Sequence, residues 1–207
     1  MSAERQFVSD VAFTPSVKAI QLRKGSRIAY ARMEASGGWK TTISSDLAAF
    51  IDAQTSFFIA TANAEGQPYI QHRGGPAGFL KVLDETTLAF ADFDGNRQYI
   101  SSGNLAENSK VHLFLIDYGS KQRIKIWGTA RIVDDDPALV SRLMPSDYKA
   151  RSEQAMIIKI VAWDANCPQH IPKRFEAPDV ASALNARDKR IAELETEIAR
   201  LSQSSPI

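Results

Sequence analysis

The chain has 207 residues, 44% of them hydrophobic and 24% charged, which suits one compact domain with a buried core and terminal additions. Its formal net charge of +1 excludes bulk attraction to nucleic acid or to a membrane surface. One cysteine, Cys167, excludes an internal disulfide framework and a cysteine-based zinc site.

In chain order, "MSAERQFVSDVAF" lacks the apolar core of a signal segment, because Arg5 and Asp10 interrupt it. No run approaches the ~20 apolar residues of a spanning helix. The expectation is a cytoplasmic chain. "PSVKAIQLRKGSRIAYARM" opens as a helix at Pro15 and Ser16, is weakened at Gly25 and ends before "ASGGW". "SSDLAAFIDAQT" has Leu47, Phe50 and Ile51 at helical spacing, with Ser45 or Asp46 as cap.

Strand signals follow. "SFFIATA", "YIQHR", "FLKVL", "TLAFADF", "KVHLFLID" and "RIKIWGTARIV" are separated by turn-rich clusters, and "QAMIIKIVAWDANC" begins as a further β-rich run. Short strands at this spacing predict a mainly β fold, an antiparallel barrel or sandwich of about six strands with helical decoration. Gly128, inside the long run Arg123–Val133, predicts a bulge or corner. "DDDPALVSRLM" reads as a helix with acidic residues at its positive end.

The tail "ALNARDKRIAELETEIARL" carries a heptad seam. Leu184, Ile191 and Ile198 are seven apart, and Leu194 and Leu201 form a second series, with Arg187 at one of its positions. Two readings stand: a helix paired with a partner helix, Arg190 meeting Glu195 across the seam, or a helix packed on its own barrel.

Three stretches are candidates for binding. "QHRGGPAGF" presents Gln71, His72 and Arg73 and then sheds side-chain bulk at Gly74, either for a flat ligand or for a tight hairpin. "FADFDGNRQYISSGNLAEN" hands a strand over to a helix through Gly95, Asn96 and Arg97. Successive N–H groups and a guanidinium fork there suit a phosphate, and an Asp-Gly turn with a solvated arginine is the alternative. In "YGSKQRIKIWG", Arg123 and Lys125 share one strand face, which is phosphate-binding or merely solvated. The three histidines, His72, His112 and His170, lack metal-ligand spacing, and no nucleophile elbow, P-loop or dinucleotide fingerprint is present. Cys167 is read as a buried structural thiol rather than a reactive one.

Together, "GQPYIQHRGGPAGFLKVLDETTLAFADFDGNRQYISSGNLAENSKVHLFLIDYGSKQRIKIWGTARIV" and the closing run to Trp163 resemble the pyridoxamine 5′-phosphate oxidase-like family of FMN-binding split barrels. The resemblance implies an antiparallel split barrel that forms a homodimer, with FMN at sites along the interface and a small-molecule substrate. It sets Gln71, His72, Arg73 and Gly74 beside the isoalloxazine ring, and Asp92, Asn96, Arg97 and Gln98 at the ring edge and phosphate. Arg123 and Lys125 add polar contacts, and Trp163, His170 and Arg174 are contacts expected from the partner's C-terminal part. No catalytic acid or base is assigned.

The family's Arg-Leu-His-Asp-Arg type signature is replaced here by "CPQHIPKRFEAPD", and Asn96 and Gln98 stand where serine and lysine are usual. Oxidation of vitamin B6 is therefore not expected. The resulting expectation is an FMN-dependent oxidoreductase; the alternative is a non-catalytic carrier of flavin, deazaflavin or haem, since the family holds such members. The expected organisation is a helical extension over 1–43, the barrel over 44–165, a connector over 166–181 and a heptad helix over 182–203.

Overall fold

Side chains that alternate between apolar and polar, interrupted by Gly, Asn and Pro, force the middle of this chain into short strands. The computed structural model describes residues 6–165 and 168–203; Cys167, and with it the reading of a buried thiol, lies outside them. Seven strands form one sheet: β1 (Ser56–Ala62), β2 (Pro68–Gly74), β3 (Lys81–Asp84), β4 (Thr87–Phe93), β5 (Lys110–Asp117), β6 (Gln122–Val133) and β7 (Ser152–Ala165). Their order is β2-β1-β5-β6-β7-β4-β3, so the sheet has two edges and is not hydrogen-bonded into a closed cylinder. The expected split-barrel class is the one observed, with the β-rich run after Gln154 counting as a full strand.

Among the described residues six α-helices accompany the sheet: α1 (Pro15–Arg23), α2 (Arg27–Ala35), α3 (Ser45–Asp52), α4 (Ile100–Glu107), α5 (Pro137–Leu143) and α6 (Ala177–Gln203). Gly25, at φ +80°, takes a left-handed conformation that divides the N-terminal helical stretch into α1 and α2. α3 is capped by Ser44, whose hydroxyl accepts from Leu47 N at 3.2 Å, rather than by the expected Ser45 or Asp46. Asp136 caps α5 by accepting from Leu139 N at 2.8 Å, with Pro137 at its first position.

The main core fills the inside of the sheet. Phe57 and Ile59 of β1, Leu88 and Phe90 of β4, Leu113 and Leu115 of β5, and Ile124 and Ile126 of β6 meet Leu47 and Ile51 of α3. Phe57 stacks on Phe79 at 5.7 Å and meets Phe90 edge-on at 5.4 Å. A second core lies across β4: Ala89 and Ala91 pack with Val133, Leu143 and Ala155. Small alanines on that face let α5 approach, so β4 is buried on both sides and shows no polar alternation.

The long β6 is bent where its register with β7 shifts between Trp127 and Gly128. A Cβ at position 128 would collide with the Lys159 carbonyl oxygen and approach Ile158. The Gly128→Ala variant is expected to lose about 1–3 kcal/mol of stability through overpacking, read as a lower denaturant midpoint at unchanged slope.

By backbone contacts the chain divides into two units, one of residues 1–116 and 123–167, the other of 117–122 and 168–207. The second contains α6, of which no described residue is buried. α6 starts at Ala177, ahead of the expected residue 182, because Pro178 and Asp179 both suit a helix's first turn. Among the described residues no helix is long and apolar enough to cross a membrane.

Candidate functional site

Alternation along β2 turns Tyr69, Gln71 and Arg73 to one side and Ile70 and His72 to the other. Gln71 stands opposite the fully buried Ile59 of β1, so its side faces inward, whereas His72 stands opposite Phe58 on the outer face. β4 carries Leu88 and Phe90 inward, and the same alternation delivers Asp92 to the inner end of the strand. Arg73 and Asp92 thus meet across the gap between β2 and β4, which the sheet order leaves without backbone pairing.

The Arg73–Asp92 ion pair is 13% and 9% exposed at its side chains. Gln154 of β7 donates to the second Asp92 oxygen at 2.8 Å and to Ser102 Oγ at 3.1 Å. Ser101 donates to Gln71 Oε1 at 2.7 Å. Arg73 also lies 5.7 Å from the Phe90 ring, and its Nε is buried without a hydrogen-bond partner among the described residues. Side chains, rather than main-chain ladder bonds, bridge this seam.

Beyond it, the Asp94–Tyr99 segment winds through two left-handed residues, Arg97 (φ 58°) and Tyr99 (φ 53°). Non-glycine residues take this conformation rarely, and alternating handedness makes the N–H concavity that binds anions. Tyr99 is the N-cap residue of α4 and makes no side-chain cap, so the first turn of that helix is not closed by its own cap. Arg97 donates from Nε to the Tyr99 hydroxyl at 2.9 Å and pairs with Glu153 at 3.0 Å; Tyr99 donates to Glu153 at 2.8 Å. The Tyr99 hydroxyl and then the Glu153 carboxylate hold the Arg97 guanidinium above its ordinary pKa.

These groups line one narrow polar cleft of about 60 Å³, from Gln71 and Arg73 through Asn96, Arg97 and Gln98 to Ser101 and Gln154. A second recess of about 190 Å³ adjoins it beside Gly74, Phe79 and Phe93. Gln71, Arg73, Asp92, Asn96, Arg97 and Gln98 therefore converge. Gly74 and His72 border the second recess, although the His72 ring stands 5.5 Å from Phe58 on the outer face. Gly75 has a packing role: a Cβ there would press into the Phe79 ring at 2.7 Å.

Other expected site residues are elsewhere in the chain. Arg123 and Lys125 occupy the outer face of β6, whose inner face carries Ile124 and Ile126. Lys125 pairs with Asp164 at 3.3 Å and lies 5.3 Å from the Trp127 ring. Trp163 donates from Nε1 to the Thr42 carbonyl at 2.8 Å and packs against the main core. His170 and Arg174 belong to the second unit, where Arg174 lies 4.5 Å from the Tyr118 ring. Ser101, Ser102, Glu153 and Gln154 were not singled out by sequence. The two serines had a signal, their position in the first turn after the Asp-Gly-Asn-Arg segment; the β7 residues had none.

On the same outer face, His112 meets Trp127 edge-on at 4.8 Å. Burial, then repulsion from Lys125, lowers its pKa below the ordinary 6.5. The unfolded chain therefore binds a proton here before the folded one does. Stability is expected to be full above about pH 6.5 and to fall as pH drops below it. His112→Gln should flatten that part of a plot of denaturant midpoint against pH.

Fold and cleft together define an open antiparallel split barrel with a polar, donor-rich seam. A sequence model described as Pyridoxamine 5′-phosphate oxidase matches residues 43–167, more than half of the chain, and the protein belongs to that family of split barrels. HupZ of Group A Streptococcus is 17% identical over 64% of this chain and 99% of its own, with a TM-score of 0.50. An FMN-binding protein from Syntrophomonas wolfei gives 15%, 73%, 95% and 0.45 for the same measures. A Clostridium acetobutylicum protein related to general stress protein 26 gives 14%, 64%, 92% and 0.42. Comparison with curated proteins finds no match.

Proposed function

We propose that the protein binds FMN at the seam between β2 and β4 and works as a homodimeric oxidoreductase on a small molecule. The observation that carries this reading is the convergence of Gln71, Arg73, Asp92, Asn96, Arg97 and Gln98 on one cleft that ends at the first turn of α4. Family membership supports it.

The donor set fits a flavin phosphate and ring edge. Arg97 and the first-turn N–H groups would take the phosphate, with Asn96 and Gln98 beside it. Gln71 and the unpartnered Arg73 Nε–H would donate to the ring's polar edge. Asp92 and Gln154 hold Arg73 in place for that contact. A bound flavin supplies the electron and hydride chemistry itself; the chain's work is to bind, orient and shield it.

A cleft of about 60 Å³ is far below the roughly 300 Å³ at which small-molecule pockets begin. Even with the adjoining recess of about 190 Å³ the space stays below that range, which supports a site finished by a second copy. The outer face of β1, β5 and β6 offers Phe58, His112, Phe114 and Trp127, partly buried, beside Arg123 and Lys125. Inner-face Arg73 and outer-face Arg123 would meet one ligand when the second comes from the partner.

Titration of purified protein with FMN, followed by flavin fluorescence, tests binding; absence of quenching rejects the reading. Anaerobic reduction by a nicotinamide donor and reoxidation by a panel of acceptors tests turnover. Quenching without turnover leaves the carrier function.

A further inference from the structure

α6 extends for 27 residues, about 40 Å, and buries none of them. Its apolar residues are nevertheless not scattered. Val180, Leu184, Ile191, Leu194 and Ile198 are all between 43% and 61% exposed and fall on one stripe. A stripe this regular on a helix whose other residues are charged, polar or small is built to be covered.

We propose that α6 is covered by α6 of a second copy, in a parallel two-stranded coiled coil. The core positions favour this occupant. Leu184, Ile191 and Ile198 take one core position and Leu194 and Leu201 the other; isoleucine at the first with leucine at the second is the combination that selects two parallel helices. The flanking charges favour the same answer. Arg190 on one side of the stripe is five residues before Glu195 on the other, the offset at which parallel partners meet, and symmetry makes the pair twice.

In an antiparallel pair the flank carrying Asp188 and Glu195 would face its own copy, acid against acid, and only the other flank, with Arg190 and Glu197, would match opposite charges. Among the described residues Arg190 pairs with Glu193, at 3.0 Å on the exposed surface, a pair that holds it weakly. Arg187 interrupts the seam at a core position. In a parallel pair it faces its own copy, cation against cation, and this costs the seam stability.

The interaction needs no ligand, so it is separable from the flavin reading. Full-length chain in a Cys167→Ala background receives a single thiol by Arg187→Cys, Leu194→Cys or, on the far face, Lys189→Cys. Each is oxidised with oxidised glutathione and scored as disulfide-linked dimer, with and without FMN. The expected result is rapid cross-linking at 187 and 194, little at 189, and no dependence on FMN. Cross-linking at only one of the two core positions indicates an antiparallel pair and overturns the proposal. Equal cross-linking at 189, or none at 187 and 194, overturns it as well. Arg187→Leu gives the independent readout: the helical signal should melt at higher temperature and its concentration dependence should move to lower protein. An unchanged melt counts against the seam.

Discussion

The Arg97→Ala variant is expected to bind FMN about 10- to 150-fold more weakly, while its affinity for riboflavin stays nearly unchanged. Riboflavin lacks the phosphate, so the difference isolates the contact assigned to Arg97. The magnitude follows from losing one charge-assisted hydrogen bond, about 1.5–3 kcal/mol. Folding stability should hardly move, because the Arg97–Glu153 pair is solvent-exposed and such pairs contribute little. Glu153→Gln is the counterpart. Its carboxylate occupies Arg97 at 3.0 Å and would repel an arriving phosphate, so removing its charge should tighten FMN and leave riboflavin alone. Equal losses for FMN and riboflavin in Arg97→Ala would take the phosphate away from this residue.

Asp92→Ala is expected to cost the most stability, about 3–5 kcal/mol, because it strands the buried Arg73 cation and frees Gln154 from an acceptor. For a chain of this size the unfolding temperature should fall by about 6–20 °C. The double variant Arg73→Met with Asp92→Leu should recover much of the loss, since apolar packing can replace a buried pair once both charges are gone. It should not recover FMN affinity. A double variant as unstable as Asp92→Ala would mean that the seam depends on these hydrogen bonds and not on neutralising a buried charge.

How legible the sequence is differs between strand and site. Most strands announce themselves because each is a β-rich run closed by Gly, Asn or Pro, β3 being the exception, and Gly25 and Gly128 act where local pattern places a break and a bend. β4 is recognisable as a strand but not as one buried on both faces, since the reason lies in α5, far along the chain. Asn96, Arg97 and Gln98 are readable as an anion-binding turn. Glu153 and Gln154 are not, because only the pairing of β4 with β7 brings them to the cleft. Nor does spacing reveal that Arg73 and Asp92 are partners, as contact across an unpaired seam obeys no local period. Gly75 resembles a position kept bare for a ligand, yet the Phe79 ring occupies that space.

The seam between β2 and β4 also bears on assembly and misassembly. A barrel laced all the way round by its backbone has no exposed edge, whereas this one retains two, β2 and β3. Such edges invite strands of other molecules, and fibrillar stacking is the usual hazard. Along β2 the guard is built from bulky polar side chains turned across the gap, Gln71 to Ser101 and Arg73 to Asp92, and a proline at the strand's start. The same residues that line the cleft thus also shield the β2 edge, so substitution of Gln71 or Arg73 by small apolar residues is expected to raise aggregation, read by light scattering.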